Sequence, residues 1–296
     1  MANAKPFLKW AGGKGQLLEQ LDLLLPKDFS HRKELVYIEP FVGGAAMLFY
    51  VLEKYPITRA IINDSNSNLI TCYKVIKENP VALIEVLERF KKEYQSKVND
   101  EERKELYYEK RERYNSRPTD DIEMAALFIF LNKTGFNGLY RVNAKGGFNV
   151  PFNKAKNPPI CDSTTILADS EALQNVEILN GDFEAVIEDV DSDSFLYFDP
   201  PYRPLSQTAA FTSYSKDGFD DEQQKRLADF CRKIDSQGHQ WLLSNSDPHN
   251  TDPNDNFFDD LYKGFDIHRV SATRMINSNA NGRGRITELA IRNYKE

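Results

Sequence analysis

The chain is poor in cysteine and has no long apolar run. Its 296 residues include three cysteines, and Cys72, Cys161 and Cys231 are widely spaced without a Cys-x-x-Cys pair. That spacing indicates neither a disulfide framework nor a zinc site. The apolar stretch Ala125 to Leu131 is far below the ~20 residues of a membrane helix, and no apolar signal segment follows the first basic residues. We therefore expect a reduced, cytoplasmic protein with no membrane partner.

Acidic residues outnumber basic ones, with 45 Asp and Glu against 38 Lys and Arg, so the formal net charge is −7. Basic residues supply most of the affinity for a phosphate backbone, so the total argues against a nucleic-acid partner. The distribution favours one, since no acidic residue occurs between Met124 and Cys161. Basic residues lie in that interval, before the first acid Glu19, and near the C-terminus: Lys133, Arg141, Lys145, Lys154, Lys156, then Lys5, Lys9, Lys14, then Arg269, Arg274, Arg283 and Arg285. Such patches are compatible with DNA binding, although a charge run is also typical of a solvated face.

Short β-favouring runs alternate with helical segments along much of the chain. Leu35 to Ile38 and Ala60 to Ile62 each end near a carboxylate and turn residues, and a helix-like segment follows each of them. This βαβ rhythm predicts an α/β fold with a parallel sheet. Further strands are predicted at Val176 to Leu179, Phe195 to Phe198, Trp241 to Ser244, Ile267 to Thr273 and Arg285 to Asn293, the last two as a closing hairpin.

A different pattern interrupts the sheet in the middle of the chain. Pro80 to Tyr114 is long, charged and helical without a strand signal, and Ala125 to Asn132 predicts a buried helix. Two short β-favouring runs then flank a glycine-containing tip between Leu139 and Val150, which predicts a β-hairpin. We therefore expect an inserted helical region that carries a hairpin.

Asp199-Pro200-Pro201-Tyr202 directly follows the apolar run Phe195 to Phe198. An exocyclic amine such as adenine N6 has a delocalised lone pair, so it needs acceptors that draw the nitrogen toward tetrahedral geometry. The Asp199 carboxylate can accept one N–H and the Pro200 carbonyl the other, while two prolines keep the backbone rigid. Tyr202 adds an aromatic face for an extruded base. A surface turn is the alternative, but the motif predicts methyl transfer to a nucleic acid.

A glycine-containing turn and an acid follow the first two strands. Phe41 and Gly43 belong to the turn after the first strand, where small residues let a ligand approach the backbone. Asp64 ends the next strand about 20 residues later, the position from which a carboxylate binds ribose hydroxyls. The turn lacks Gly-x-Gly-x-x-Gly, which argues against a dehydrogenase. A plain β-to-α turn is the alternative, but together the two features predict a nucleoside ligand without pyrophosphate, such as S-adenosylmethionine.

A second glycine-containing segment, Phe7 to Lys14, suits the same ligand. Lys14 can pair with the carboxylate of the methionine moiety, and Trp10 offers an aromatic face to the sulfonium cation. A phosphate loop is the alternative, but the Ser or Thr of a Walker motif does not follow Lys14. Asp182 and Phe183, after another strand, can recognise the adenine of the cofactor, although an acid at a strand end is commonly part of a turn.

These segments together resemble the Dam and DpnM group of DNA adenine-N6 methyltransferases, the alpha class. The resemblance runs nearly end to end, and several motifs in the same order make it more specific than any one of them. One departure is Lys154-Ala155, which stands where relatives often carry Gly-Arg-Tyr. The motifs are Phe7-Leu-Lys-Trp-Ala-Gly-Gly-Lys14, Glu39-Pro-Phe-Val-Gly-Gly44, Asn137-Gly-Leu-Tyr-Arg141, Phe148-Asn-Val-Pro151, Asp199-Pro-Pro-Tyr202, and Leu205-Ser206 with Ala210-Phe211-Thr212.

The resemblance implies a Rossmann-like sheet of the S-adenosylmethionine-dependent methyltransferase type, split by a mainly helical target-recognition domain that carries a β-hairpin. The implied domains are a catalytic domain of residues 1–70 and 163–296 and a DNA-binding domain of residues 71–162. The implied methyl donor is S-adenosylmethionine, with no metal. The implied substrate is double-stranded DNA, methylated on the adenine of GATC, and a restriction endonuclease that acts on the same site is a possible partner.

The resemblance also implies roles for individual residues. Catalysis is expected from Asp199, Pro200, Pro201 and Tyr202. Contacts with the methyl donor are expected from Trp10, Lys14, Phe41, Gly43, Asp64, Asp182, Phe183 and Asp199. Contacts with DNA are expected from Lys9, Phe136, Asn137, Leu139, Arg141, Pro151, Arg274 and Arg283. An arginine can bind guanine O6 and N7 in the major groove, and an aromatic ring can stack into the duplex.

Three alternatives stay open from the sequence: an RNA adenine methyltransferase, a cytosine-N4 methyltransferase, and a DNA-binding homologue that has lost catalysis. Asp199 favours adenine, because cytosine-N4 relatives more often have Ser before the two prolines. Lys14, Asp64 and Asp199 are all present, which argues against the loss of catalysis.

Overall fold

The computed structural model describes residues 3–10, 12–203, 219–273 and 285–295. Its helices are α1 (Leu18–Asp22), α2 (Ala46–Lys54), α3 (Ser67–Glu78), α4 (Pro80–Gln95), α5 (Asp100–Asn115), α6 (Asp121–Thr134), α7 (Ser163–Ala172), α8 (Asp221–Ser236) and α9 (Phe257–Leu261). Its strands are β1 (Val36–Glu39), β2 (Arg59–Asp64), β3 (Val176–Asn180), β4 (Ser194–Phe198), β5 (Gln240–Ser246), β6 (Asp266–Thr273) and β7 (Arg285–Arg292). Each strand predicted for the sheet is confirmed within about two residues, the usual uncertainty of element ends.

The strands form one sheet in the order β3-β2-β1-β4-β5-β7-β6. β1 pairs in parallel with β2 and with β4, and β4 pairs in parallel with β5. β7 lies between β5 and β6 and is antiparallel to both. A mostly parallel sheet of this kind confirms the predicted Rossmann-like α/β fold.

The connections change direction between β1 and β4, which lie side by side in the sheet. All side chains of these two strands are buried, as expected for the centre of a parallel sheet covered on both faces. Ligands of open α/β sheets bind at such a switch point, beyond the carboxyl ends of the strands. Pro40 and Phe41 directly follow β1 and Asp199 directly follows β4, so the Asp-Pro-Pro-Tyr motif begins at this edge.

The contacts within the chain define two compact units. In the first unit, α6 is apolar on all sides, and its residues Ala125 to Leu131 are all buried. Such a helix needs neighbours around it, and α3, α4 and α5 pack against it. No helix in the described segments has both the length and the apolar content to cross a bilayer. The first unit comprises Met1–Gly13, Gly43–Phe49 and Asn63–Asp182, and the second comprises Lys14–Val42, Tyr50–Ile62 and Phe183–Glu296. The assignment of a DNA-binding domain to residues 71–162 stays a prediction.

The predicted hairpin is present in the first unit, but it is irregular. Val142 and Phe148 form an isolated antiparallel bridge. Side chains of α5 bind much of the remaining backbone: the Tyr107 hydroxyl donates to the Val150 carbonyl over 2.8 Å. Asn115 accepts from the N–H of Phe148 over 2.8 Å and donates to its carbonyl over 3.1 Å. These three backbone groups are therefore hydrogen-bonded without a continuous ladder.

Candidate active site

The acid of the Asp-Pro-Pro-Tyr motif is paired with a buried lysine in the second unit. Lys14 Nζ donates to Asp199 Oδ1 over 2.5 Å and to the Tyr202 hydroxyl over 2.9 Å. The ammonium group also lies 4.6 Å from the centroid of the Tyr202 ring, a cation–π distance. The Lys14 side chain is only 2% exposed. Burial alone would lower the pKa of Lys14, but the facing carboxylates outweigh burial and hold that pKa above its ordinary value.

Ser244 of β5 holds Asp199 from a second direction. The parallel register pairs Phe198 with Leu243, so the next residues along both strands lie level, and Ser244 Oγ donates to Asp199 Oδ1 over 3.2 Å. Both side-chain hydrogen bonds of Asp199 thus reach Oδ1, and Oδ2 receives none from the described residues. Burial raises the pKa of Asp199, while Lys14 and Ser244 oppose that rise. The result is a fixed carboxylate with one oxygen still able to accept.

A second carboxylate, Glu288 of β7, completes this cluster. The Tyr202 hydroxyl donates to Glu288 Oε2 over 2.5 Å, and Lys14 Nζ lies 3.9 Å from the same oxygen. The sequence interpretation did not identify Glu288. The sequence did contain a signal, since Glu288 is the one acid in the mostly apolar segment Ile286 to Ile291. An acid buried in a strand rarely lacks a partner.

The backbone of the motif is held by α8 and β5. The Pro201 carbonyl accepts from Gln224 Nε2 over 3.1 Å. Gln224 is fully buried and accepts from Asn245 Nδ2 over 3.2 Å. Among the described residues, no donor reaches the Pro200 carbonyl. The Pro200 carbonyl, which the sequence analysis predicts as an acceptor for the substrate amine, therefore accepts no hydrogen bond within the described residues.

In the first unit, Trp10 packs directly on the turn after β1. A Cβ atom at Gly43 would lie 3.0 Å from Trp10 Cδ1 and Nε1, and one at Gly44 would lie 3.0 Å from Trp10 Cβ. Gly43 also has a positive φ of 45°, which favours glycine. The Trp10 ring stacks on Tyr140 with centroids 5.8 Å apart. The glycines thus permit the approach of Trp10, a close neighbour that the sequence interpretation had not foreseen.

Asp64 fixes the same turn. Its Oδ2 accepts from the Gly43 N–H over 3.1 Å, and its Oδ1 accepts from the Asn66 N–H over 2.9 Å. The Gly43 carbonyl accepts from the Tyr73 hydroxyl over 2.7 Å. Burial raises the pKa of Asp64, and the two backbone donors oppose the rise. A carboxylate has about four lone-pair sites, so Asp64 keeps capacity for further donors such as ribose hydroxyls.

Phe183, which is expected near the cofactor adenine, belongs to a ring stack in the second unit. Phe41 and Phe183 are stacked with centroids 5.2 Å apart. The Arg226 guanidinium lies 4.6 Å from the Phe183 centroid, and Phe183 is only 4% exposed. Phe41 is the more exposed ring, so Phe41 offers more surface to a ligand. Asp182, the last residue of the first unit, is exposed.

Residues expected to contact DNA surround the hairpin base. Phe136 is 49% exposed and its N–H donates to the carbonyl of exposed Pro151 over 2.8 Å. Asn137 has a positive φ of 55°, which turns the chain sharply between Phe136 and half-buried Leu139. Lys9 is exposed, and both of its backbone polar groups bind the side chain of α6 residue Asn132.

Arg141 is braced across the hairpin. Its Nε donates to Asn149 Oδ1 over 2.7 Å, and its Nη2 donates to the Asn149 carbonyl over 3.2 Å. This bracing limits the rotamers of the Arg141 side chain and sets the orientation of its guanidinium. Arg274 and Arg283, also expected at DNA, lie outside the described residues.

A Rossmann-like sheet with an Asp-Pro-Pro-Tyr motif at its switch point defines the class as the S-adenosylmethionine-dependent methyltransferases of exocyclic amines. The sequence profile described as "D12 class N6 adenine-specific DNA methyltransferase" matches residues 10–276. The chain belongs to this family and is an adenine-specific DNA methyltransferase. The family implies a methyl donor of the S-adenosylmethionine type.

Similarity to individual proteins extends over nearly the whole chain. The chain is 51% identical to "Type II methyltransferase M.MjaIII" of Methanocaldococcus jannaschii, over 98% of this chain and 99% of the relative. It is 41% identical to "Type II methyltransferase M1.LlaDCHI" of Lactococcus lactis subsp. cremoris, over 99% and 96% of the two chains. It is 37% identical to a "DNA adenine methylase" of Vibrio cholerae, over 98% and 96%. These relatives confirm the predicted family and enzyme class.

Proposed function

We propose that the enzyme flips the adenine of double-stranded GATC out of the helix and methylates its N6 directly. The observation that carries this proposal is the pair of available acceptors in the motif. Asp199 Oδ2 and the Pro200 carbonyl accept no hydrogen bond from the described residues. Two acceptors suit the two N–H bonds of an exocyclic amine, and they favour the positive charge that develops on nitrogen. Tyr202 supplies the aromatic face for the extruded base.

The charges of the cluster suit a cationic donor. When ionised, Lys14, Asp199 and Glu288 sum to one negative charge, which complements a sulfonium group. S-adenosylmethionine, when bound, supplies a methyl group that its sulfonium already activates. We propose that Trp10, Gly43 and Asp64 contact the methyl donor. We propose the same role for Lys14 and Phe41, and contacts with the adenine of the methyl donor for Asp182 and Phe183.

The protein then contributes mainly by positioning the target adenine. Asp199 and Pro200 aim the N6 lone pair, and Tyr202 sets the plane of the base. After transfer, the surplus proton on N6 passes to Asp199 or to solvent. No covalent protein intermediate is needed.

The hairpin supports the sequence-specific part of the proposal. Arg141 is oriented by Asn149, and a guanidinium can bind guanine O6 and N7 together. Phe136 and Pro151 are exposed beside each other and can fill space left by a displaced base. Two of the relatives are type II methyltransferases by name, which supports a restriction endonuclease with the same recognition site as a partner.

The test is transfer of labelled methyl from S-adenosylmethionine to a GATC duplex, to one-base variants of it, and to matching RNA. Digestion of the product identifies the labelled base. We expect N6-methyladenine in the GATC duplex alone. Equal labelling of all duplexes would overturn GATC specificity, labelled cytosine or RNA would support the corresponding alternative, and binding without transfer would indicate an inactive homologue.

A further inference from the structure

Glu288 reaches the catalytic cluster through the pairing of β7. In the antiparallel register, Glu288 lies opposite Ser246 of β5. Opposite residues of paired strands share one face of a sheet, and residues two apart on a strand do so as well. Ser244, which binds Asp199, is two residues before Ser246. The sheet therefore presents Glu288 on the face where Ser244 holds the catalytic acid.

Tyr202 connects Glu288 to the motif. Within the described residues, the Tyr202 hydroxyl is the only hydrogen-bond donor to the Glu288 carboxylate, at 2.5 Å. The same hydroxyl accepts from Lys14 Nζ over 2.9 Å. Because the tip of the ring is held from two sides, the ring cannot swing about its Cα–Cβ bond without losing both hydrogen bonds. The Glu288 side chain is 16% exposed, so water competes little for this contact.

We propose that Glu288 is a positioning residue for methyl transfer, which fixes the Tyr202 ring against which the flipped adenine stacks. This inference rests on the proposed function, since it assumes that the base stacks on Tyr202. Asp199 and Pro200 bind the amine at one edge of the base, whereas the ring plane sets its tilt. A tilt of the base turns the N6 lone pair away from the methyl group, and small displacements of this kind are costly for in-line transfer.

The test compares Glu288→Ala and Glu288→Gln, each alone and combined with Tyr202→Phe. We expect Glu288→Ala to lower kcat by up to about 100-fold with little change in KM for S-adenosylmethionine. Glu288→Gln should recover most of the loss, because the amide oxygen can accept from the same hydroxyl. In the Tyr202→Phe background, Glu288→Ala should cost little more, since the hydroxyl it acts on is gone.

Two controls make the outcome decisive. Glu222→Ala alters an acid that is 77% exposed and paired with Lys225, and it should leave kcat unchanged. A duplex with 2-aminopurine at the target adenine reports base extrusion, which should persist in Glu288→Ala with altered stacking fluorescence. Equal losses in the Ala and Gln variants, or losses from Glu288→Ala and Tyr202→Phe that multiply, would overturn the inference. If the wild-type protein transfers no methyl group, the proposed function fails; if it does and Glu288→Ala matches it, only this inference fails.

Discussion

Lys14 Nζ lies 2.5 Å from Asp199 Oδ1, so the acid of the Asp-Pro-Pro-Tyr motif has a buried cationic partner. The sequence predicted Lys14 as a ligand of the donor carboxylate, and that contact stays a prediction. The observed pair gives Lys14 a second role, because it binds Asp199 Oδ1, while Oδ2 accepts no hydrogen bond from the described residues.

Replacing the catalytic acid should stop the chemistry and spare DNA binding. We expect Asp199→Ala to lower kcat by at least roughly 10²-fold, since a preorganised group at the developing charge is lost. DNA affinity should stay within a few-fold, because the proposed DNA contacts lie elsewhere. Labelled methyl transfer and a gel-shift titration measure the two effects. Unchanged turnover would contradict the assignment of Asp199.

Activity should fall on the acid side of its pH profile at a pH above the ordinary pKa range of carboxyl groups. Burial raises the pKa of both Asp199 and Glu288, and an ionised Asp199 is needed to support positive charge on N6. Activity should therefore fall as pH falls through the raised pKa values. Lys14, Ser244 and Tyr202 also face these carboxylates, and Lys14 lowers the pKa of both. Lys14→Met should move the limb of kcat/KM to higher pH, whereas an unmoved limb would show that Asp199 does not control it.

A buried acid in the first unit should make stability depend on pH. Asp169 is fully buried, its Oδ1 accepts from the Lys5 N–H over 2.9 Å, and its Oδ2 has no partner among the described residues. Burial raises its pKa to about 7, with Asp162 adding to the rise and Lys5 and Lys133 opposing it.

The folded pKa of Asp169 exceeds the unfolded one, so its protonated form is the one that favours folding. The free energy of unfolding should therefore fall by roughly 2–4 kcal/mol as pH rises from about 4 to about 7. Asp169→Asn cannot ionise and should remove that part of the pH dependence. Urea unfolding of the wild-type protein and of Asp169→Asn at pH 5 and pH 8 tests this expectation. An equal change in unfolding free energy between the two pH values in both proteins would contradict it.

Arg141 should control one base pair of the recognised sequence. Arg141→Ala is expected to relax discrimination at that pair by roughly 1–3 kcal/mol. Asn149→Ala should reproduce part of the effect, because Asn149 Oδ1 and the Arg141 Nε hold each other. Methylation of one-base variants of the duplex measures both. Equal weakening on all duplexes would instead identify Arg141 as a phosphate contact.

The turn after β1 should not tolerate a side chain. Gly43→Ala would bring a Cβ atom to 3.0 Å from the Trp10 ring, so we expect a loss of about 1–3 kcal/mol in unfolding free energy and a higher KM for S-adenosylmethionine. Gly238→Ala is the matched control, since Gly238 has a positive φ of 86° with no atom within 4 Å. It should show only the backbone strain, about 1 kcal/mol. Equal effects of the two variants would exclude the contact with Trp10.

Local patterns in the sequence predicted the strands of the sheet well, because alternation and turn residues depend on neighbours along the chain. The Asp-Pro-Pro-Tyr motif is also contained in a short stretch of sequence. Contacts across the fold were harder to predict. Glu288 meets Tyr202 only because β7 lies between β5 and β6, a pairing that no short window of sequence encodes. The glycines at 43 and 44 were interpreted as space for a ligand, whereas Trp10, distant in sequence, packs against them.

The hairpin that carries Arg141 depends on α5 for its shape, since Tyr107 and Asn115 bind its backbone at Val150 and Phe148. At the tip, the Asn143 side chain also accepts from the N–H groups of Lys145 and Gly147. Substitutions at exposed hairpin positions other than Asn143 should therefore preserve the loop while altering what it contacts. A hairpin whose shape is held by a neighbouring helix can acquire a new target sequence through a few substitutions. The residues proposed for catalysis need not change with it.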